Sequence, residues 1–397
     1  MIKKILIVLL LVAVAAGAAL YVNRNRILSL SADTVIRKIL PDYISVENIL
    51  LDGDQGKLTL EGVKVDNPKG FRDKFLAEAG KVVCLYVLKG ENILGGIKVT
   101  EVSAEDLRVN VQRLADGRIN VNEMGSLMAG PENDVPKTVS KKKDAELKKT
   151  SVKMDISSML SFPGTILIRN GEIAFLDMKV RSGGYRLTLD GINGKLDLGL
   201  SKDYSSVLSV STEGSGRVEG DTAQQAKWKV SFDPTQKELT MSSRLEVSDI
   251  DLTLLTPYYD RYSPIVVSKG SFSGELVFDF DRGNIGSANT LVIKGLEFRE
   301  KGSGGWAGQW QNDVIPEIIR YLGSSSGDIT FDFRIKGTME DPVFYPGPYV
   351  KEAIKGMLVD KITGAIKGLS GERTEGQEEE KSDMEKVMDV MRGILNQ

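Results

Sequence analysis

The sequence predicts a mainly β protein, a long curled antiparallel sheet with few helices. Three observations predict it. Apolar residues recur at period two in one segment after another, the spacing that places them all on one face of a strand. Glycine supplies 41 of 397 residues against 12 prolines, above the usual ~7% for glycine, which favours short strands joined by glycine turns. A strand broken by a polar residue and glycine also recurs, as Leu60-Glu61-Gly62-Val63, Leu189-Asp190-Gly191-Ile192, Ile293-Lys294-Gly295-Leu296 and Ile335-Lys336-Gly337-Thr338. Glycine inside a strand marks a bulge or bend, so these points are either bends of a curled sheet or ordinary turns.

The chain opens with Lys3 and Lys4, an uncharged apolar run from Ile5 to Val22, and then Arg24 and Arg26. The run is near the lower limit of ~17 residues for a helix that spans a bilayer. One reading is an uncleaved anchor over residues 1–26 with Lys3 and Lys4 held in the cytoplasm. The other is a signal peptide cleaved near Ala13-Val14-Ala15 or Ala16-Gly17-Ala18. The run exceeds a usual signal-peptide core, so the anchor is the expectation, and in both readings the residues after Arg26 are exported.

Ser31 to Leu40 reads as a short helix with Ser31 as N-cap and Pro41 as its stop. Leu58 and Leu60, then Val63 and Val65, alternate around Glu61-Gly62, and Asn67-Pro68-Lys69-Gly70-Phe71 is a turn. Val82 to Leu88 is continuously apolar. Leu107, Val109 and Val111 alternate with Arg108, Asn110 and Gln112, and Asp116-Gly117 turns the chain into Ile119-Asn120-Val121. From Lys137 to Lys153 seven lysines stand against only Asp144 and Glu146, with Pro131 and Pro136 nearby, which reads as a solvated linker or a surface for anionic headgroups.

Alternation resumes at Gly164. Ile166 and Ile168, Leu187 and Leu189, and Leu196, Leu198 and Leu200 recur at period two, as do Leu276, Phe278 and Phe280. In Ile329, Phe331, Phe333 and Ile335 the intervening Thr330, Asp332 and Arg334 make the other face polar. Trp306 to Leu322 reads as a helical interruption broken at Pro316. From Tyr349 the period becomes helical, with Ile354, Leu358, Ile362, Ile366 and Leu369 on one face among lysines. Gly371 to Glu385 holds seven acids and two bases and reads as disordered, and a short helix from Met384 to Leu395 ends the chain.

There is no histidine, so no Ser-His-Asp or Cys-His arrangement and no imidazole metal site can be built. Cys84 is the only cysteine, which removes thiolate zinc sites and intrachain disulfides, and it reads as a small buried hydrophobe. A net charge of −3 gives no sign of a nucleic-acid partner. Leu50-Leu51-Asp52-Gly53-Asp54-Gln55-Gly56 lacks the far bidentate Glu of a calcium loop and reads as a surface turn. Asp279 and Asp281 share the spacing of any solvated strand face. No enzyme activity, metal or cofactor is expected. A sheet with one apolar face and few helices to cover it must fold into a filled sandwich or close around something apolar.

The order of motifs resembles the AsmA family of inner-membrane-anchored periplasmic proteins, which is related to TamB-type and bridge-like lipid transfer proteins. The residues that carry the resemblance are the N-terminal anchor and following helix, Leu60 to Phe71, the stretch ending in Asp116-Gly117-Arg118-Ile119-Asn120, and the closing run from Phe331 to Phe344 with its Asp341-Pro342 turn. The Val65 to Lys69 segment also looks like the Asn-Pro turn of water-hypersensitivity domains. The AsmA resemblance implies a curled sheet forming an apolar groove that handles phospholipid acyl chains and contributes to outer-membrane lipid transport.

The implied organisation is an anchor (1–26), an N-terminal β region (27–130), a Lys-rich linker (131–160), a C-terminal β region (161–347), an amphipathic helix (348–370) and an acidic tail with a short helix (371–397). The expected groove lining is Leu58, Leu60, Val63, Val65, Ile166, Ile168, Leu187, Leu189, Leu196, Leu198, Leu276, Phe278, Phe280, Leu291, Ile293, Ile329, Phe331, Phe333 and Ile335. The helix carrying Ile354, Leu358, Ile362, Ile366 and Leu369 is expected to close the groove's end or rest on a membrane. The expected partners are phospholipid, the inner membrane and other envelope or outer-membrane proteins. The alternative is an anchored structural β-sandwich that affects envelope integrity or outer-membrane protein assembly without carrying lipid.

Overall fold

The computed structural model describes residues 40–88, 97–123, 160–202, 206–260, 265–301, 327–338 and 341–352, with Arg37, Ile319, Lys355 and Gly356. The expected anchor, the Lys-rich segment up to residue 159, the core of the Trp306–Leu322 stretch, and Ile354, Leu358, Ile362, Ile366 and Leu369 lie outside these residues. Among the described residues no helix is long and apolar enough to cross a membrane.

The period-two segments form strands, and the protein is mainly β. The chain divides into two compact units, Met1–Val210 and Ser211–Gln397. In the first unit the strands are β1 (Ile44–Ser45), β2 (Asn48–Asp52), β3 (Lys57–Asp66), β4 (Phe75–Leu88), β5 (Ile97–Arg113), β6 (Leu160–Ser161), β7 (Thr165–Asp177) and β8 (Tyr185–Leu200); β9 (Val207–Val218) contains the boundary. Their order is β1-β3-β4-β5-β7-β8, with β2 also on β3 and β6 also on β5. The sheet is mixed, which corrects the antiparallel expectation: β5 and β7 run parallel, from Ser103 beside Leu167 to Arg113 beside Asp177. Alternation reads the same in either direction, so it does not fix the sense in which two strands pair. These two strands pair directly across the Lys-rich segment, and the division between units falls some fifty residues after it.

The polar-glycine interruptions have a common geometry at three of their four positions. Gly62, Gly191 and Gly295 have φ near +60°, a left-handed conformation that costs glycine little. In β3, β4 and β5, the pairings on either side of Gly62, Gly80 and Asp106 keep one register, so these three residues lie in line across the sheet. Asp106 and Asn170 also have φ near +50°, which Asp and Asn tolerate better than most residues. The Asn170 amide donates to Asp106 at 2.6 Å, and the Asn170 N–H donates to the Asn193 side chain at 3.3 Å. Side chains thus replace ladder bonds lost at this crease. Gly337 differs: it leads into the turn in which Thr338 N–H donates to Asp341 O at 3.3 Å.

The second unit contains β10 (Gln225–Phe232), β11 (Met241–Asp251), β12 (Ile265–Asp281), β13 (Asn284–Ser287), β14 (Asn289–Glu300), β15 (Ile329–Thr338) and β16 (Pro342–Pro346). A 3₁₀ helix (Leu252–Leu255) and α1 (Thr256–Tyr259) follow β11. Pairing is antiparallel throughout the unit. The long β12 pairs with β13 over its C-terminal part and with β14 over its N-terminal part. At the changeover Asn289 accepts from Val277 N–H at 2.8 Å and donates to Ser287 Oγ at 3.0 Å, and Ser287 Oγ accepts from Ile335 N–H at 2.6 Å.

The outer strand β16 is closed to further pairing. Gly347 N–H donates to Asp332 O at 2.9 Å, so by alternation Val343 and Tyr345 bond inward and Pro342, Phe344 and Pro346 face out. Two of these three residues lack an N–H, which blunts the edge against another strand.

Candidate functional site: the apolar sheet face

Direct cross-strand neighbours share a face, so the register shows which predicted lining residues come together. In the second unit, Phe280 lies opposite Met241, Phe278 opposite Ser243, and Leu276 opposite Leu245. Phe272 lies opposite Ile293 and Gly274 opposite Leu291. Ile293 and Leu291 in turn face Ile329 and Phe331. Leu276, Phe278, Phe280, Leu291, Ile293, Ile329, Phe331, Phe333 and Ile335 therefore belong to one face. The other face is polar: Ser242 donates to Asp279 at 2.7 Å, and Arg244 pairs with Glu275 at 2.5 Å.

This apolar face is covered at one end and half-open over the rest. Ile250, Phe272 and Ile329 are buried, near the level where the 3₁₀ helix brings Leu252 Cδ1 to 3.2 Å from a Cβ built on Gly270. Leu276, Phe278, Phe280, Leu291, Ile293, Phe331, Phe333 and Ile335 are all only half-buried. At the β15–β16 end the rings of Phe331, Phe333 and Phe344 cluster with centroids 5.3 to 6.2 Å apart, and Phe344 is 47% exposed. Phe344, Leu245 and Met241 are absent from the sequence-based lining. Their alternation with polar neighbours was the available signal, but short runs such as Met241-Ser-Ser-Arg-Leu245 carry too few apolar residues to stand out.

The first unit behaves differently. Leu58 and Leu60 are each 1% exposed, and Val63, Val65, Ile166 and Leu198 are also buried. The face opens toward β7 and β8, where Ile168, Leu187, Leu189 and Leu196 are half-buried and Ile173 is exposed. Cys84 pairs with Leu58 in this core, and burial pushes its thiol up to about 11. The native protein is therefore expected to resist an aromatic disulfide reagent at pH 8 and to react once unfolded in urea. Rapid native labelling would show that this core opens locally.

The polar face of the first unit is not simply solvated. Asn110, Gln112 and Asn120 are buried, and they join two motifs that lie far apart in sequence. Asn120 Nδ2 donates to Asn67 Oδ1 at 3.0 Å and to Asn110 O at 2.7 Å, while its Oδ1 accepts from the N–H of Gln112 and Val121 at 2.9 Å each. The Gln112 side chain accepts from Arg72 N–H at 2.8 Å and donates to Asp73. The Asn67 turn and the Asp116–Asn120 turn are thus two halves of one polar latch over β5. The surface turn expected over Leu50–Gly56 is seen only after Asp52, where Gln55 N–H donates to Asp52 at 3.0 Å; Leu50, Leu51 and Asp52 belong to β2, paired with β3. No family model matches the chain, and no curated protein matches it.

Proposed function

We propose that this chain is a non-enzymatic, inner-membrane-anchored periplasmic protein of the AsmA-like kind, which binds or conducts phospholipid acyl chains along its sheet and contributes to outer-membrane lipid transport. The observation that carries the reading is the half-open apolar face of the second unit, where eight aliphatic and aromatic side chains from β12, β14 and β15 stay partly accessible. Burying apolar area is worth about 25 cal/mol per Å², so an acyl chain laid on such a face gains what a sandwich partner would otherwise supply. The polar groups of the strand backbones bond within the ladder, so an acyl chain laid on the face meets apolar side chains and not unpaired backbone groups. The apolar run Ile5–Val22 supplies the anchor in this reading, and the helix after Tyr349 supplies a lid or membrane contact.

Native mass spectrometry of the full chain in mild detergent is expected to find co-purifying phospholipid. Phe331→Asp is expected to remove most of that lipid while leaving the melting temperature within a few degrees of the parent, because Phe331 is only half-buried. The second reading, a structural β protein that carries no lipid, is favoured by the filled core around Leu58 and Leu60 and by the latch. It requires that no lipid co-purify and that Phe331→Asp unfold its unit, and that pair of outcomes would overturn the lipid reading.

A further inference from the structure

The open apolar face of the second unit extends one strand beyond its expected lining, onto β10. Trp228 lies opposite Leu245, Val230 opposite Ser243 and Phe232 opposite Met241. Those three partners in turn lie opposite Leu276, Phe278 and Phe280, so three rows run unbroken across β10, β11 and β12 on one face. Exposure along β10 follows the same parity. Ala226 is buried and Trp228, Val230 and Phe232 are half-buried, whereas Gln225, Lys227, Lys229 and Ser231 are exposed. Lys227 stands opposite Glu246 and Lys229 opposite Arg244, on the polar side. From β10 to β15, with β14 between β12 and β15, the face spans about 19 Å along the sheet at the usual strand spacing.

Trp228 differs from its neighbours in what it offers a ligand. An indole has one polar group, an N–H that can only donate. Here that N–H donates to Thr212 Oγ1 at 3.3 Å, so it is satisfied inside the protein and the accessible part of the ring is hydrocarbon surface. An indole with a free N–H suits the boundary between lipid and water, where one end stays wet. An indole whose N–H is tied to the sheet suits the acyl region instead. The same bond restrains the ring before any ligand arrives, which lowers the ordering cost that binding would otherwise carry.

We propose that Trp228 is an acyl-chain-binding residue, and that the lipid-binding face runs from β15 to β10 instead of ending at β12. The inference rests on the lipid reading above and deepens it, by assigning a ring contact that neither the expected lining nor the Phe331 cluster contains. The occupant is the hydrocarbon part of a phospholipid. Area and not polarity makes the contact, because the only polar atom of the ring already has its partner.

The test uses the full chain in detergent with Trp306→Phe and Trp310→Phe, which leaves Trp228 as the only tryptophan. Phosphatidylcholine with brominated acyl chains is compared with the same lipid unbrominated, since bromine quenches only rings that it nearly touches. Trp228 is expected to lose most of its emission to the brominated lipid. A second protein carries Lys229→Trp with Trp228→Phe, which moves the probe to the polar face of the same strand; its emission is expected to survive. Trp228→Ala is expected to weaken phospholipid retention about tenfold, about 1.4 kcal/mol, and Trp228→Phe to restore most of it. Retained phospholipid with Trp228 unquenched overturns this inference and leaves the lipid reading standing. Equal quenching of the probes on the two faces also overturns it, because the contact would then come from the surrounding micelle. Absence of any bound phospholipid overturns the lipid reading and this inference with it.

Discussion

Asn120→Ala is expected to remove about 4 kcal/mol from the stability of the first unit. Asn120 is fully buried and its amide makes four hydrogen bonds at 2.7 to 3.0 Å. Truncation leaves buried partners unsatisfied, at about 1–3 kcal/mol for each group that water cannot reach. The measurement is the urea midpoint followed by a probe in the first unit. A loss below about 1 kcal/mol would mean that the latch does not organise β5. Asn120→Asp gives a sharper test, because it keeps the acceptor for the Gln112 and Val121 N–H groups but turns a second oxygen toward the acceptors Asn67 Oδ1 and Asn110 O. The introduced carboxyl is expected to titrate above its unfolded value. This variant should therefore be closest to the parent in stability near pH 4 and fall behind as pH rises to 7.

Arg113→Ala is expected to cost about 3 kcal/mol at neutral pH. The Asp177 side chain is completely buried, and Arg113, 30% exposed, holds it through two contacts, Nε to Oδ1 at 3.0 Å and a terminal nitrogen to Oδ2. Removing one partner of a buried pair strands the other charge, which typically costs 3–5 kcal/mol; the exposed side of Arg113 places this pair at the low end. Burial raises the Asp177 carboxyl, but hydrogen bonds from Arg113 and from the Lys179 and Val180 N–H groups outweigh it and hold the group below the ordinary 3.8. A carboxyl depressed in the folded state contributes stability that is complete above its unfolded value and is lost as pH falls through the folded one. The gap between parent and Arg113→Ala should therefore be widest at neutral pH and narrow below about pH 4. Asp177→Asn should cost less at neutral pH, because Arg113 can turn to solvent. Equal costs for the two variants, or a gap independent of pH, would show that this pair does not set the acid sensitivity.

Much of the fold was legible in particular residues. The Ile329-Phe331-Phe333-Ile335 alternation marks β15 because a strand with one apolar face has few other patterns. Gly62, Gly191 and Gly295 mark bends because the left-handed conformation selects glycine. Asp106 and Asn170 occupy the same conformation without advertising it, since both residues are equally at home in turns and on polar faces. Asn67 and Asn120 stood out as parts of separate motifs. That they bond to each other was not legible, because 53 residues separate them and a hydrogen bond between side chains leaves no periodic trace.

Alternation and glycine placement determined on their own that this chain is mainly β and which residues share a face, since both follow from local backbone geometry. The parallel pairing of β5 with β7, the filling of the face around Leu58 and its opening around Phe331 were decided only by tertiary structure. Local patterning specifies which side chains point the same way. Whether another layer covers them depends on contacts between distant segments, and no single strand encodes those.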